Sequence, residues 1–264
     1  MKDKMKMSKS AERPQEMAAA FPSMRERLVE QLVHAEENLV VLSAGMGYGK
    51  TVLLEQAMPR LNRPCIHCQM EGTTGSAADF FEAIRRKVSA LPVSLPALEE
   101  KTALSPEGYG MRLAEVFSLL EERVTIVLED YHLAAGEEMN RLLPVLLKRA
   151  PRLQVILSTR SAPPPFFARL LLERRALVVG EEALAFTDEE TASLIAPFVL
   201  PENRDELVQA VQDYTLGWPA AVSLLLLHYD RRGTGMTVEN LRQAFHHSYL
   251  RDYFMHELFD LLPS

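Results

Sequence analysis

Apolar residues along this chain fall into two kinds of run. The first kind is short and unbroken. Leu39-Val-Val-Leu42, Pro64 to Met70, Val124 to Leu128, Leu153 to Leu157 and Ala176 to Val179 each read as a strand, and the first fits one buried on both faces. The second kind recurs with a helical period. Met24, Leu28, Leu32 and Val33 share one face, and Val52 to Leu61 continues the pattern. Ser76 can cap a helix to Ala90, with Phe80, Phe81, Ile84 and Val88 inward and Glu82, Arg85, Arg86 and Lys87 outward. A Pro-, Ser- and Leu-rich loop follows from Leu91 to Pro106. Tyr109 to Glu122, Glu137 to Arg149 and Pro164 to Arg174 complete the set. Strands alternating with helices predict right-handed βαβ units and a parallel sheet.

After Gly180 the strand pattern stops. Thr187-Asp-Glu-Glu190 is a capping box opening a helix to Ile195. Pro201 to Tyr214, Trp218 to Tyr229 and Val238 to Leu262 read as further helices, broken at Gly217 and Gly233. Residues Met1 to about Met17 are polar, Lys-rich and without period. The expected organisation is a tail over 1–20, an α/β part over 21–180 and an all-α part over 181–264.

Composition narrows the function classes. The 264 residues are 47% hydrophobic and 25% charged, enough apolar side chain to offset chain entropy and exclude disorder over most of the length. The net charge of −7 argues against bulk binding to nucleic acid or an anionic membrane. Two cysteines make no disulfide framework, and no apolar run approaches the ~20 residues of a membrane span. The start carries no apolar core of signal-peptide length. These features predict a cytoplasmic, reduced, soluble chain with no membrane partner. Cys65-Ile-His-Cys68 lacks the second ligand pair that zinc requires and reads as buried strand. His246, His247, Tyr249, Tyr253 and Phe254 read as core or partner-facing helix positions.

The sharpest chemical signal is Ala44-Gly45-Met46-Gly47-Tyr48-Gly49-Lys50-Thr51, which follows a strand and precedes a helix. Glycines allow successive N–H groups to face one cavity, and the helix N-terminus adds its dipole. Lys50 can then reach β- and γ-phosphates and Thr51 can hold Mg²⁺. Ala44 stands where the usual pattern begins with Gly. The second signal is Val124-Thr-Ile-Val-Leu-Glu129-Asp130, a buried strand ending in two acids. Glu129 is assigned to the metal and Asp130 to the attacking water, with the reverse assignment open. Third, Arg160 closes Leu157-Ser-Thr-Arg160. It reads equally as a γ-phosphate sensor or as a surface cation paired with a nearby acid. Fourth, Gly217-Trp-Pro219 ends one helix and starts the next.

With these motifs in this order, the chain resembles the ATPase module of MalT-like, LuxR-type bacterial transcription regulators, within the signal-transduction ATPases with numerous domains. The matching residues are Ser43 to Thr51, Val127-Leu-Glu-Asp-Tyr-His-Leu133, Leu157-Ser-Thr-Arg160, Leu184-Ala-Phe-Thr187 and Gly217-Trp-Pro-Ala220. The resemblance runs from about Ser23 to the C-terminus. It implies a P-loop NTPase fold with a parallel core sheet flanked by helices, then an all-α helical subdomain. It further implies a switch that rests with ADP, opens and self-associates with ATP and an inducer, and resets by slow hydrolysis. Lys50 and Thr51 carry over as phosphate and Mg²⁺ contacts, Arg160 as the γ-phosphate sensor and Pro219 as a nucleotide contact. The segment near Phe21 to Arg25 falls where the family holds adenine. Glu129 stands where the family usually has Asp, which bears on hydrolysis more than on binding. The family's winged-helix, sensor and DNA-binding parts have no counterpart in this sequence, so the chain reads as a truncated product or a cut-out fragment, whose full-length form would carry DNA binding and self-association. The alternatives are a degenerate, non-hydrolysing scaffold and a stand-alone phosphoryl-transfer enzyme.

Overall fold

The computed structural model describes residues 25–70, 76–88, 104–232 and 236–247. The expected tail, the segment from Phe21 to Met24, most of the loop from Leu91 to Pro106 and the helix beyond His247 lie outside these residues. The chain divides into two compact units. One comprises residues 30–44 and 54–180; the other comprises the described residues within 1–29, 45–53 and 181–264.

Helix α1 (Glu26–Val33) precedes strand β1 (Leu39–Ser43), and helix α2 (Lys50–Ala57) follows it. The larger unit continues with β2 (Cys65–Gln69), α3 (Ala77–Val88), α4 (Pro106–Ser118), β3 (Val124–Glu129), α5 (Glu137–Arg149), β4 (Leu153–Thr159), α6 (Phe167–Leu172) and β5 (Ala176–Gly180). The five strands form one parallel sheet in the order β2-β3-β4-β1-β5. The chain leaves β1 toward the β2 edge but leaves β4 toward β5. Winding therefore reverses between these neighbours, the place where open α/β sheets put a ligand crevice at their carboxyl ends.

The apolar pattern explains the layers. Leu39, Val41, Ile66, Cys68, Ile126, Leu128, Val155 and Leu157 join a core with Phe80, Phe81, Phe117, Leu142 and Leu146. The alternate positions Val40, Leu42, Val127 and Ile156 are equally buried, so both faces of the inner strands are covered. Strand β2 lies at the edge and departs from the fully buried reading of Cys65-Ile-His-Cys68. Ile66 and Cys68 are buried, whereas Cys65 and His67 are only half-buried. Helix α4 starts three residues earlier than its apolar period indicates, because Ser105 accepts from Gly108 N–H and Pro106 takes a first-turn position. Helix α6 is shorter than expected, since Pro163 to Pro165 lie ahead of it and Arg174 takes a left-handed conformation just after it.

The smaller unit holds α7 (Glu181–Leu184), α8 (Asp188–Ile195), α9 (Arg204–Thr215), α10 (Pro219–Arg232) and α11 (Val238–His247). Phe186, Ile195, Leu207, Val211, Val222, Leu225, Tyr229 and Leu241 form its core. Both halves of the predicted capping box are present, with Thr187 accepting from Glu190 N–H and Glu190 accepting from Thr187 N–H. Between α9 and α10 the chain reverses through Leu216 (φ 50°) and Gly217 (φ 70°). Phe186 N–H donates to Gly217 O at 2.8 Å, and the Gln212 amide donates to Phe186 O and Thr191 Oγ1 at 3.0 Å each. A Cβ at Gly217 would stand 2.5 Å from Phe186 O, so only glycine permits this approach. Among the described residues no helix is long and apolar enough to cross a membrane.

Candidate functional site

The Gly-rich segment leaves β1 at Ala44, whose N–H donates to Thr159 O. It turns through Gly47 (φ 77°) and Gly49 (φ 71°) into the first turn of α2, where Lys50 and Thr51 lie. A side chain at Gly47 would be strained by that φ and would also meet Ala220 Cβ at 2.6 Å and Trp218 Nε1 at 2.8 Å. Lys50 is buried and folds back over the loop, its Nζ donating to Gly45 O at 2.7 Å.

Every carbonyl of the loop from Gly45 to Gly49 has a donor. Lys50 takes Gly45 O; Trp218 Nε1 takes Met46 O at 3.1 Å; Ala220 N–H takes Gly47 O at 3.0 Å; Arg25 Nη1 takes Tyr48 O at 2.9 Å; Leu53 N–H takes Gly49 O at 2.9 Å. The amides behave oppositely. Gly45 N–H donates to Glu181 Oε1 at 2.9 Å, whereas those of Met46, Gly47, Tyr48 and Gly49 donate to no described residue. Successive N–H groups that donate to no described residue, beside a lysine and a helix N-terminus, are a donor set suited to an anion.

Arg25 fixes the loop from the other side. Its guanidinium also donates to Leu184 O and lies 5.0 Å from the Phe186 ring centroid. Burial lowers its pKa to about 10, partly offset by Glu190, so it remains a cation at neutral pH. The Trp218 and Tyr48 rings lie 6.5 Å apart, and Pro219 is buried as the first residue of α10. Burial first, and the Glu181 carboxylate second, raise the pKa of the Tyr48 phenol.

On the sheet, Glu129 is the last residue of β3 and is buried. His67 Nε2 lies 3.0 Å from its Oε2. Asp130, at φ 53°, accepts from Gln69 Nε2 at 2.7 Å and donates its backbone N–H to Ser158 Oγ at 3.1 Å. Arg160 follows β4 and is exposed. No group of three or more His, Cys, Asp or Glu among the described residues is placed to hold a metal unaided.

Sequence reasoning located the loop, the acids, Arg160 and the Gly217-Trp-Pro219 turn. It did not find the Glu181 carboxylate or the Arg25 side chain on the loop, nor His67 and Gln69 on the acid pair. The one local signal for His67 was the Cys65-Ile-His-Cys68 run itself.

No family model matches the chain. It is 28% identical over 249 residues to the HTH-type transcriptional regulator MalT of Vibrio parahaemolyticus, covering 90% of this chain and 27% of that protein. Against the regulator of the same name from Vibrio cholerae, identity is 29% over 251 residues, covering 91% and 28%. The chain thus spans little more than a quarter of the length of these relatives. A Walker-type ATPase of Pyrococcus abyssi shares its fold with a TM-score of 0.55 at 16% identity, covering 90% of this chain and 75% of the other.

Proposed function

Because the chain is a MalT-like P-loop NTPase module, we propose that it binds ATP and ADP as the nucleotide switch of a transcriptional regulator. One observation carries this reading: the loop carbonyls from Gly45 to Gly49 are all taken up by protein donors, while the amides from Met46 to Gly49 donate to no described residue. A polyphosphate supplies that acceptor. Lys50 gives the neighbouring positive charge and Thr51 a hydroxyl for Mg²⁺.

The donor set fits Mg²⁺ that arrives with a nucleotide. Such an ion keeps several waters and needs only one or two protein oxygens beside the phosphates, so the lack of a dedicated acidic cluster among the described residues is no obstacle. When bound, the ion would neutralise charge on the phosphates. We assign Thr51 and Glu129 to it, Asp130 to orienting water and Arg160 to the γ-phosphate. Pro219 and Trp218 connect the helical unit to the nucleotide state, because their turn grips the loop directly. Full switching from 1:99 to 99:1 needs roughly 5.5 kcal/mol of differential binding. The γ-phosphate supplies part of this; an inducer and contacts in the full-length regulator supply the rest. Self-association and DNA contact are assigned to that longer protein.

Hydrolysis is slow in this reading. A non-hydrolysing scaffold is the second reading, favoured by the engagement of both acids by β2 side chains, Glu129 by His67 and Asp130 by Gln69. Titration of labelled ATP and ADP against the chain and its Lys50→Ala variant tests binding. Affinity should fall at least about tenfold for both nucleotides in the variant; unchanged binding would remove this loop from consideration. Steady-state turnover separates the two readings, the first giving slow phosphate release and the second none.

A further inference from the structure

We propose that Glu181 is a charge-discriminating residue, which sets the preference of the loop for nucleoside diphosphate over triphosphate. The inference rests on the nucleotide-binding reading above and deepens it.

Glu181 opens α7, directly after β5. Its Oε1 accepts the N–H of Gly45 at 2.9 Å. Gly45 is the first of five consecutive loop amides, and the next four donate to no described residue. The carboxylate therefore holds the end position of the same donor row that would take the phosphates. Consecutive Cα atoms are ~3.8 Å apart, so an anion on the adjacent amides lies within one or two residue lengths of a fixed negative charge. The influence of Glu181 extends along the row, for it helps to raise the Tyr48 phenol pKa three residues further on. Lys50 and Arg25 attract either nucleotide. Glu181 is the opposing charge, and its repulsion grows with the extra charge of a γ-phosphate. At such separations, with the solvent screening expected near a surface, one charge changes affinity by about three- to tenfold. Glu182 precedes no loop contact of this kind and provides a neighbouring control.

The experiment measures dissociation constants for ATP and ADP, without Mg²⁺, on the unaltered chain and on Glu181→Gln, Glu181→Ala, Glu182→Gln and Lys50→Ala. Gln keeps an oxygen to accept from Gly45 N–H and removes the charge; Ala removes both. Expected in Glu181→Gln is a gain in affinity for both nucleotides, about three- to tenfold larger for ATP than for ADP and shrinking at ~0.5 M salt. Glu182→Gln should leave the ATP:ADP ratio unchanged. A ratio unaltered in Glu181→Gln, or equal weakening of both nucleotides in Glu181→Gln and Glu181→Ala, would overturn the proposal and leave Glu181 as a simple tie for the loop. Retained binding in Lys50→Ala would instead overturn the nucleotide reading itself, so the two failures are distinct.

Discussion

The backbone N–H of Ala220 donates to the carbonyl of Gly47 at 3.0 Å, and a Cβ placed on Gly47 would stand 2.6 Å from the Ala220 side chain. Loop and helical turn are thus in contact at a point where no atom can be added. Gly47→Ala combines this clash with a left-handed backbone, which alone costs about 1–2 kcal/mol for a residue with a Cβ. The variant should melt about 2–8 °C lower and bind nucleotide more weakly, checked by thermal denaturation and titration. An unchanged midpoint would mean that Ala220 does not press on the loop in solution.

Trp218 is the only tryptophan of the chain, and its indole N–H bonds to Met46 O. Its emission should therefore report the loop without any label. Saturating ADP is expected to shift or quench the intrinsic fluorescence. Calorimetrically detected binding with an unmoved spectrum would argue against coupling through this turn. Trp218→Phe keeps an aromatic ring but loses the donor, at about 1 kcal/mol.

Arg25 donates to Tyr48 O and to Leu184 O from one buried guanidinium. Its fork serves two carbonyls at once, which a lysine ammonium does not reproduce in the same geometry. Arg25→Met should cost about 2 kcal/mol and Arg25→Lys about 1 kcal/mol, part of each loss being offset by removal of a buried charge. Urea unfolding of both variants measures the order. Equal midpoints for Lys and Met would show that charge, rather than the fork, is what matters.

Burial pushes the Cys68 thiol pKa up to about 11, and burial also raises that of Cys65. The folded chain then keeps the Cys68 proton to higher pH than the unfolded chain does. Its contribution to stability is complete below the ordinary thiol pKa and is lost as pH rises through it toward about 11. At pH 8 iodoacetamide should modify Cys68 at least about a hundredfold more slowly in the native protein than in urea. Mass spectrometry of the labelled peptides gives the ratio, and comparable rates would show that this strand opens readily.

The parts of the fold that local pattern determines were legible. Val124 to Leu128 could be read as an inner strand because all of its residues are apolar or β-branched, and Glu137 to Arg149 because its buried leucines repeat at helical spacing. The Gly-rich loop was equally legible, since its chemistry lies in consecutive residues. Strand order was not, because the position of β1 between β4 and β5 depends on how crossovers pack. Nor were the bonds that hold the loop. Glu181 is 136 residues from Gly45 and Trp218 is 172 from Met46, separations that leave no periodic trace. His67 reaches Glu129 only because β2 and β3 run side by side in register.

The bonds that join Phe186 to Gly217 and Gln212 have a mechanical consequence. They fuse the stretch ahead of α8 and the turn ahead of α10 into one stiff bracket. A displacement of the turn at Gly217 is therefore expected to carry Phe186, and with it the start of α8. Asp188, Glu189 and Ser193 on α8 are exposed, so a movement carried through the bracket would come to the surface along this helix.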